Sequence, residues 1–196
     1  DGNPRPNPAG TSPDMGAYES DKGVDPNYAG PVWYVDASIE LPYANGGPGA
    51  SFSKIQDAID ASASGDTVLV AAGTYLENID FSGKNIVVLG SARETTIIDG
   101  DSSGTVVTFN SGEDSTAVLS GFVITNGTAD YGGGINCYYS NPTLSNMTIT
   151  DNVTVTEKSS GGGGISCNES SPTLLNVEIT DNAVTETGGT YSYGGG

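Results

Sequence analysis

The stretch GGGINCYYSNPTLSNMTITDN, residues 132–152, decides the fold, because residues 162–182 repeat it as GGGISCNESSPTLLNVEITDN. Fourteen of the 21 aligned positions are identical, and the two copies are 30 residues apart. A weaker copy lies upstream at 119–127, and Gly194-Gly195-Gly196 begins another. Repeats with a period of roughly 20–50 residues are typical of solenoids, in which each unit buries its apolar face only against its neighbours.

The alternation of residues within each copy predicts short β-strands. Apolar and polar residues alternate in Met147-Thr148-Ile149-Thr150 and again in Val177-Glu178-Ile179-Thr180, and many of them are β-branched. No helical pattern lies between the strands, so we expect equivalent strands to pair in parallel from turn to turn. The sequence therefore predicts an all-β parallel β-helix of about six or seven turns, each about 25 residues long. The side chains expected to point inward are Ile135, Leu144, Met147 and Ile149.

One short amphipathic helix is predicted before these turns. Residues 51–61 place Phe52, Ile55, Ala58 and Ile59 on one helical face. Ser51 or Ser53 is a candidate N-cap, and Gly65-Asp66 ends the turn that follows the helix. We expect this helix to cap the first turn, where it would hide the apolar cross-section and the exposed backbone.

Several motifs resemble known β-helix proteins. The first of them are Trp33-Tyr34-Val35-Asp36, Ile55-Gln56-Asp57-Ala58-Ile59, Gly65-Asp66-Thr67-Val68 and the segment 72–79. Together they are similar to the N-terminal part of pectate-lyase-like right-handed β-helix proteins. The Gly-Gly-Gly-Ile and Ile-Thr-Asp-Asn motifs resemble repeats of bacterial surface proteins of the chlamydial polymorphic outer-membrane type. The resemblance covers residues 31–196 and implies a right-handed parallel β-helix, but it specifies no activity.

The first 30 residues differ in composition from the rest. Ser12-Pro13-Asp14-Met15-Gly16-Ala17-Tyr18-Glu19 resembles a motif that closes a β-helix at its C-terminal end in those surface proteins. We therefore interpret residues 1–20 as the closing segment of a preceding unit or as an extended arm, and 21–30 as a linker. Residues 31–66 are predicted to hold the first strand and the capping helix. Residues 67–196 are predicted to form the turns, open at the C-terminal end.

Composition excludes several classes of function. The chain has 24 acidic and 6 basic residues, for a net charge of −18. Nucleic acids and anionic membrane surfaces are therefore disfavoured as partners. The chain has no histidine, which excludes histidine metal sites and Ser-His-Asp triads. No apolar run is long enough for a transmembrane helix.

Two cysteines occupy the same position of successive repeats. Cys137 and Cys167 are both expected to face inward, one turn apart. At that separation they are candidates for a disulfide, which a secreted protein would permit. The alternative is a pair of buried thiols that act as small apolar side chains.

Asparagines recur at turn positions and allow two interpretations. Asn146 and Asn176 align, and we expect their amides to stack as a ladder. Asn126, Asn146, Asn152 and Asn168 each begin an Asn-x-Ser/Thr sequence, which makes them glycosylation candidates.

Aligned or closely spaced aspartates are candidates for calcium binding. Asp151 and Asp181 fall one turn apart, and Ca²⁺ would relieve their repulsion. Asp99 and Asp101 begin a sequence like a calcium loop, but its twelfth position is Asn110 instead of Glu. The alternative is solvated turn aspartates. We expect no other cofactor.

The distribution of charged residues disfavours catalysis. Lyases that share the resembled fold use a basic residue beside Ca²⁺-binding acids, and hydrolases use clustered aspartates. Only Lys84, Arg93 and Lys158 lie within the predicted turns, and none shares a turn with an acidic cluster.

The function expected from the sequence is structural. We predict an extracellular structural or adhesive module, part of a filament or tandem-repeat surface protein that self-associates end to end. The alternative is a polysaccharide-binding or polysaccharide-cleaving, lyase-like β-helix. Glycans would stack on outward tyrosines. These are Tyr138, Tyr139, Tyr191 and Tyr193.

Overall fold

A computed structural model describes residues 27–39, 41, 43–156, 161–186 and 193–195. Within them the chain is almost entirely β-structure, with one helix, α1 (Ile55–Ala61). The strands before residue 110 are β1 (Val32–Val35), β2 (Thr67–Val70), β3 (Gly73–Leu76), β4 (Ile79–Asp80), β5 (Val87–Gly90), β6 (Thr96–Asp99) and β7 (Val107–Phe109). Those after it are β8 (Val118–Ser120), β9 (Val123–Thr125), β10 (Thr128–Ala129), β11 (Ile135–Tyr138), β12 (Thr143–Thr150), β13 (Val153–Thr156), β14 (Ile165–Asn168), β15 (Thr173–Thr180), β16 (Asn182–Glu186) and β17 (Tyr193–Gly195).

These strands form a parallel β-solenoid, as the repeats predict. The largest sheet has nine strands in the order β1-β2-β5-β8-β12-β9-β6-β3, with β15 added to β12. Two four-stranded sheets complete the turns, in the orders β14-β11-β7-β4 and β10-β13-β16-β17. Strand pairing within the sheets is parallel, except for the antiparallel pair β16–β17. The all-β fold class with a single short helix is therefore confirmed.

The turns differ in length. Val68, Val88, Leu119, Leu144 and Leu174 occupy one position in successive turns, which are thus 20, 31, 25 and 30 residues long. The described chain makes about four turns, fewer than the six or seven expected. The difference arises because turns of 20–31 residues that begin at β2 fit only about four times into the described chain.

Register places equivalent apolar side chains in columns along the axis. One inward column contains Tyr75, Ile98, Ile124, Ile149 and Ile179, each in register with the next. The first four of these side chains are buried, and Ile179 is half-buried. Burying such a side chain stabilises the fold by about 1.5–3 kcal/mol, so each column links neighbouring turns energetically.

Helix α1 closes the N-terminal end of the solenoid. Its Ile55, Ala58 and Ile59 are buried. Phe52 lies before the helix and not on its face; it bridges to Val35 and stacks on Trp33, with ring centroids 6.3 Å apart. The cap is thus a small apolar layer made by the helix and the segment that leads into it.

The ends of α1 are held by distant residues. The N-cap position is Lys54, so the expectation of a Ser51 or Ser53 cap is wrong. Instead the Glu77 carboxylate accepts hydrogen bonds from the Ile55 N–H at 2.8 Å and the Gln56 N–H at 3.1 Å. At the other end, Lys84 Nζ donates to the carbonyls of Ile59 and Asp60, at 2.7 and 2.8 Å. Both ends of the helix are therefore fixed to the first turn.

The segment interpreted as a closing element or arm, residues 1–20, lies outside the described residues, as does most of the linker 21–30. In the described part of the chain, no helix has the length and apolar character needed to cross a membrane.

Candidate functional site

The two cysteines lie side by side in neighbouring strands. Cys137 of β11 is in register with Cys167 of β14, and Cys137 follows Phe109 in the same column. Both are free thiols in the structure; Cys137 is buried and Cys167 is exposed. The sequence predicts their alignment, but not the exposure of Cys167, which lies in the last described turn.

The two thiols have different acidities. Their mutual hydrogen bond raises the pKa of Cys137, and burial raises it further. The same hydrogen bond lowers the pKa of Cys167 to about 7. Cys167 is therefore the thiol that ionises first and the more reactive nucleophile of the pair.

The predicted contact between Asn146 and Asn176 is present at the surface, and a second asparagine ladder, which was not predicted, lies in the interior. Asn146 and Asn176 do contact each other, with Asn176 Nδ2 donating to Asn146 Oδ1 at 3.0 Å, but Asn146 is exposed and both have positive φ, 51° and 55°. The buried ladder consists of Asn152 and Asn182, 0% and 6% exposed. Each of them is the last residue of an Ile-Thr-Asp-Asn motif, so the sequence repeat already aligned the two residues of this ladder.

Asn152 joins three turns through its side chain. Its Oδ1 accepts from the Gly127 N–H at 2.9 Å, and its Nδ2 donates to the Ile124 carbonyl at 3.0 Å and to Asn182 Oδ1 at 3.0 Å. A buried amide with these partners is unsuited to carry a glycan in the folded protein, so the glycosylation prediction for Asn152 is wrong. Asn126, Asn146 and Asn168 are exposed, and their glycosylation stays a prediction.

The calcium candidates do not form a ligand cluster. Asp99 Oδ1 accepts from the Asp101 N–H, and Asp99 Oδ2 accepts from Asn126 Nδ2, each at 2.9 Å. Asp151 and Asp181 are exposed turn residues with φ of 56° and 55°. No group of three or more His, Cys, Asp or Glu side chains in the described ranges could hold a metal ion. These aspartates therefore act as turn residues of the backbone.

Sequence reasoning missed a buried carboxylate at the turn between β7 and β8. Glu113 is 1% exposed and accepts hydrogen bonds from Gly83 N–H at 2.8 Å, Ser111 N–H at 3.0 Å and Ser140 Oγ at 2.7 Å. Burial alone raises the pKa of Glu113, but the hydrogen bonds outweigh it and the pKa lies below its ordinary value. Glu113, as a carboxylate, therefore connects three successive turns through these hydrogen bonds.

The last described turn exposes part of its inward side. Leu174 of β15 is 44% exposed, whereas Leu144 and Leu119, its equivalents in the two preceding turns, are fully buried. Val177 and Ile179 are only partly buried. An apolar, parallel sheet edge of this kind is a template for further strand pairing.

The outward tyrosines of β11 and its turn are exposed. The rings of Tyr138 and Tyr139 meet edge to face, with centroids 4.5 Å apart. Tyr191 lies outside the described residues, and of Tyr193 only the backbone, in β17, is described.

The basic residues considered for catalysis have other contacts. Lys84 holds the end of α1, and Arg93 pairs with the adjacent Glu94 at 3.4 Å on the surface. Lys158 lies outside the described residues. The described contacts thus give Lys84 a structural role and place Arg93 in a surface ion pair.

Comparison with known proteins identifies no relative: no protein-family model, no curated protein and no solved structure matches this chain significantly.

Proposed function

We propose that this chain is an extracellular structural and adhesive module that self-associates end to end. The supporting observation is the exposed apolar side of the last described turn. Helix α1 covers one end, whereas the last described turn leaves Leu174 44% exposed and Val177 partly exposed. Apolar surface at a strand edge is stabilised when another strand or segment covers it.

The outer side of α1 is a poor partner for that apolar turn. Asp57 and Asp60 are exposed on the helix, and burying carboxylates against leucine and valine without a counter-charge is costly. The N-terminal segment of a neighbouring copy is a better candidate, because Met15, Ala17 and Tyr18 are apolar and lie in the motif that resembles a closing element. We infer that residues 1–20 of one copy cover the exposed turn of the next.

Light scattering after size exclusion and negative-stain microscopy test this proposal. The full chain should form oligomers or filaments that grow with concentration. Leu174→Asp should shift the chain toward monomer, while Leu175→Asp, which alters the adjacent outward residue, should shift it much less. Removal of residues 1–20 should have the same effect as Leu174→Asp. A full chain that stays monomeric at all concentrations would contradict the proposal.

A second candidate function, binding of polysaccharide, is favoured by the exposed tyrosines of β11. Cleavage of polysaccharide is checked separately, by incubation with polygalacturonate and Ca²⁺ and measurement of unsaturated product.

A further inference from the structure

A groove of about 430 Å³ lies along β11 and β14. Its lining residues are Tyr131, Asn136, Tyr138, Ser166, Cys167 and Asn168. The volume lies within the range of sites that take small ligands, about 300–1,000 Å³. The lining combines aromatic rings with amide and hydroxyl groups and the Cys167 thiol.

The aromatic residues at this groove have no packing role in the interior. Tyr131 and Tyr138 line the groove and are 53% and 46% exposed, and Tyr139, next to Tyr138 in the chain, is 58% exposed. Tyr139 adopts φ of 50°, a conformation that is uncommon for bulky residues, and Glu169 adopts φ of 49° at the same position of the next turn. The turn therefore does not require tyrosine, and core packing does not explain why aromatic residues occur at these positions.

Two side-chain amides lie near Tyr138, one on the same strand and one on the strand of the neighbouring turn. Tyr138 is in register with Asn168, and Asn136 is in register with Ser166. Within the described part of the chain, the side-chain amides of Asn136 and Asn168 make no hydrogen bond. Each amide offers both donors and an acceptor to a bound molecule.

The negative charge around the groove disfavours anionic ligands. Asp130 and Glu169 adjoin the groove residues in sequence, the groove lining has no cationic side chain, and the whole chain carries a net charge of −18. An anionic ligand would be repelled. An uncharged sugar avoids this repulsion, because its C–H face packs on an aromatic ring while its hydroxyls pair with amides.

We propose that this groove binds an uncharged oligosaccharide, with Tyr138 as the stacking platform and Asn136 and Asn168 as hydrogen-bonding partners of the sugar hydroxyls. The inference rests on the adhesive part of the proposed function and is independent of end-to-end assembly.

Isothermal titration of the full chain tests the proposal with cellohexaose, xylohexaose and mannohexaose as uncharged probes and hexagalacturonate as the anionic probe. We expect at least one uncharged hexasaccharide to bind and hexagalacturonate to bind at least roughly tenfold more weakly. Tyr138→Ala should weaken the uncharged sugar at least roughly tenfold, and Asn168→Ala several-fold. Tyr43→Ala, which removes an exposed tyrosine outside the groove, should leave binding unchanged.

Circular dichroism and thermal unfolding of Tyr138→Ala should match the parent chain, so that lost binding reports the groove and not the fold. The proposal is overturned if none of the three uncharged sugars binds, if Tyr138→Ala binds as the parent does, or if hexagalacturonate binds best. Failure of assembly is distinguishable: Tyr138→Ala should still oligomerise, and Leu174→Asp should still bind the sugar.

Discussion

Asn182 Oδ1 accepts hydrogen bonds from both the backbone N–H and Nδ2 of Asn152, each at 3.0 Å, so two side chains 30 residues apart connect neighbouring turns inside the protein. Asn182 Nδ2 continues the ladder by donating to the Ile149 and Thr180 carbonyls, both at 2.8 Å. The ladder thus satisfies backbone groups that the bend after each strand would otherwise leave buried without a partner.

Replacement of Asn152 should therefore destabilise the fold strongly. Asn152→Ala removes the side-chain hydrogen bonds to the Gly127 N–H and the Ile124 carbonyl and one of the two hydrogen bonds that Asn182 Oδ1 accepts, and we expect a loss of about 3 kcal/mol in the free energy of unfolding. Urea unfolding followed by circular dichroism measures this loss.

Asn146→Gly is the matched control for that experiment. Gly121 occupies the equivalent position in the preceding turn and also has a positive φ, 84°. Glycine is therefore compatible with the backbone at this position, and we expect a change within about 0.5 kcal/mol. Equal losses for the two variants would show that the buried ladder has no special role.

Glu113 should make stability depend on pH in the acid range. Its folded pKa lies below the ordinary value of 4.5, so the stabilisation is present above about pH 4.5 and is lost as pH falls through the lower, folded pKa. Urea unfolding at pH 7 and at pH 3 should show a smaller acid-induced loss for Glu113→Gln than for the parent. An acid-induced loss as large in Glu113→Gln as in the parent would contradict this role of Glu113.

The contact between Lys84 and the end of α1 should stabilise the cap. Lys84→Met keeps the aliphatic stem but removes the two charge-assisted hydrogen bonds to the Ile59 and Asp60 carbonyls. We expect a loss of about 1 kcal/mol, measured by urea unfolding. Lys54→Met is the control, and a loss as large as that of Lys84→Met would contradict the assigned role.

Cys167 should react with alkylating reagents far faster than Cys137. Its pKa of about 7 predicts an alkylation rate that rises through neutral pH, while buried Cys137 stays protected until the protein unfolds. Iodoacetamide labelling followed by peptide mass spectrometry measures both rates.

Cys137→Ala should raise the pKa of Cys167, because it removes the hydrogen bond that lowers it, and the midpoint of the rate profile should move to higher pH. A disulfide between the two residues would instead block both from labelling and make the chain two hydrogens lighter. Intact mass spectrometry distinguishes the two outcomes.

The repeat predicted the parts of the fold that recur in register. Ile149 and Ile179 are spaced by one turn, and their alternation with threonine correctly predicted parallel strands and an inward column. The alignment of Cys137 with Cys167 follows from the same spacing.

Features that depend on contacts between residues far apart in the sequence could not be predicted from the repeat. The carboxylate that caps α1 is on Glu77, 22 residues after Ile55, and no local pattern links the two. Glu113 has no acidic equivalent in the next turn, where Ser140 takes part in the same hydrogen-bond network. The buried ladder of Asn152 and Asn182 was not predicted, because Asn146 and Asn152 recur equally well in the sequence and only the bend of the backbone decides which of them faces inward.

In a dissociated single chain of residues 1–196, the difference between the end capped by α1 and the exposed last described turn gives the solenoid a direction of unfolding. Each turn is stabilised by its two neighbours, so a turn with only one neighbour separates at the lowest cost. β15 should therefore fray before β2, and amide hydrogens should exchange progressively from the C-terminal turns toward α1. Force applied along the axis would peel the chain from that side, while the Glu77 and Lys84 contacts hold the opposite end closed.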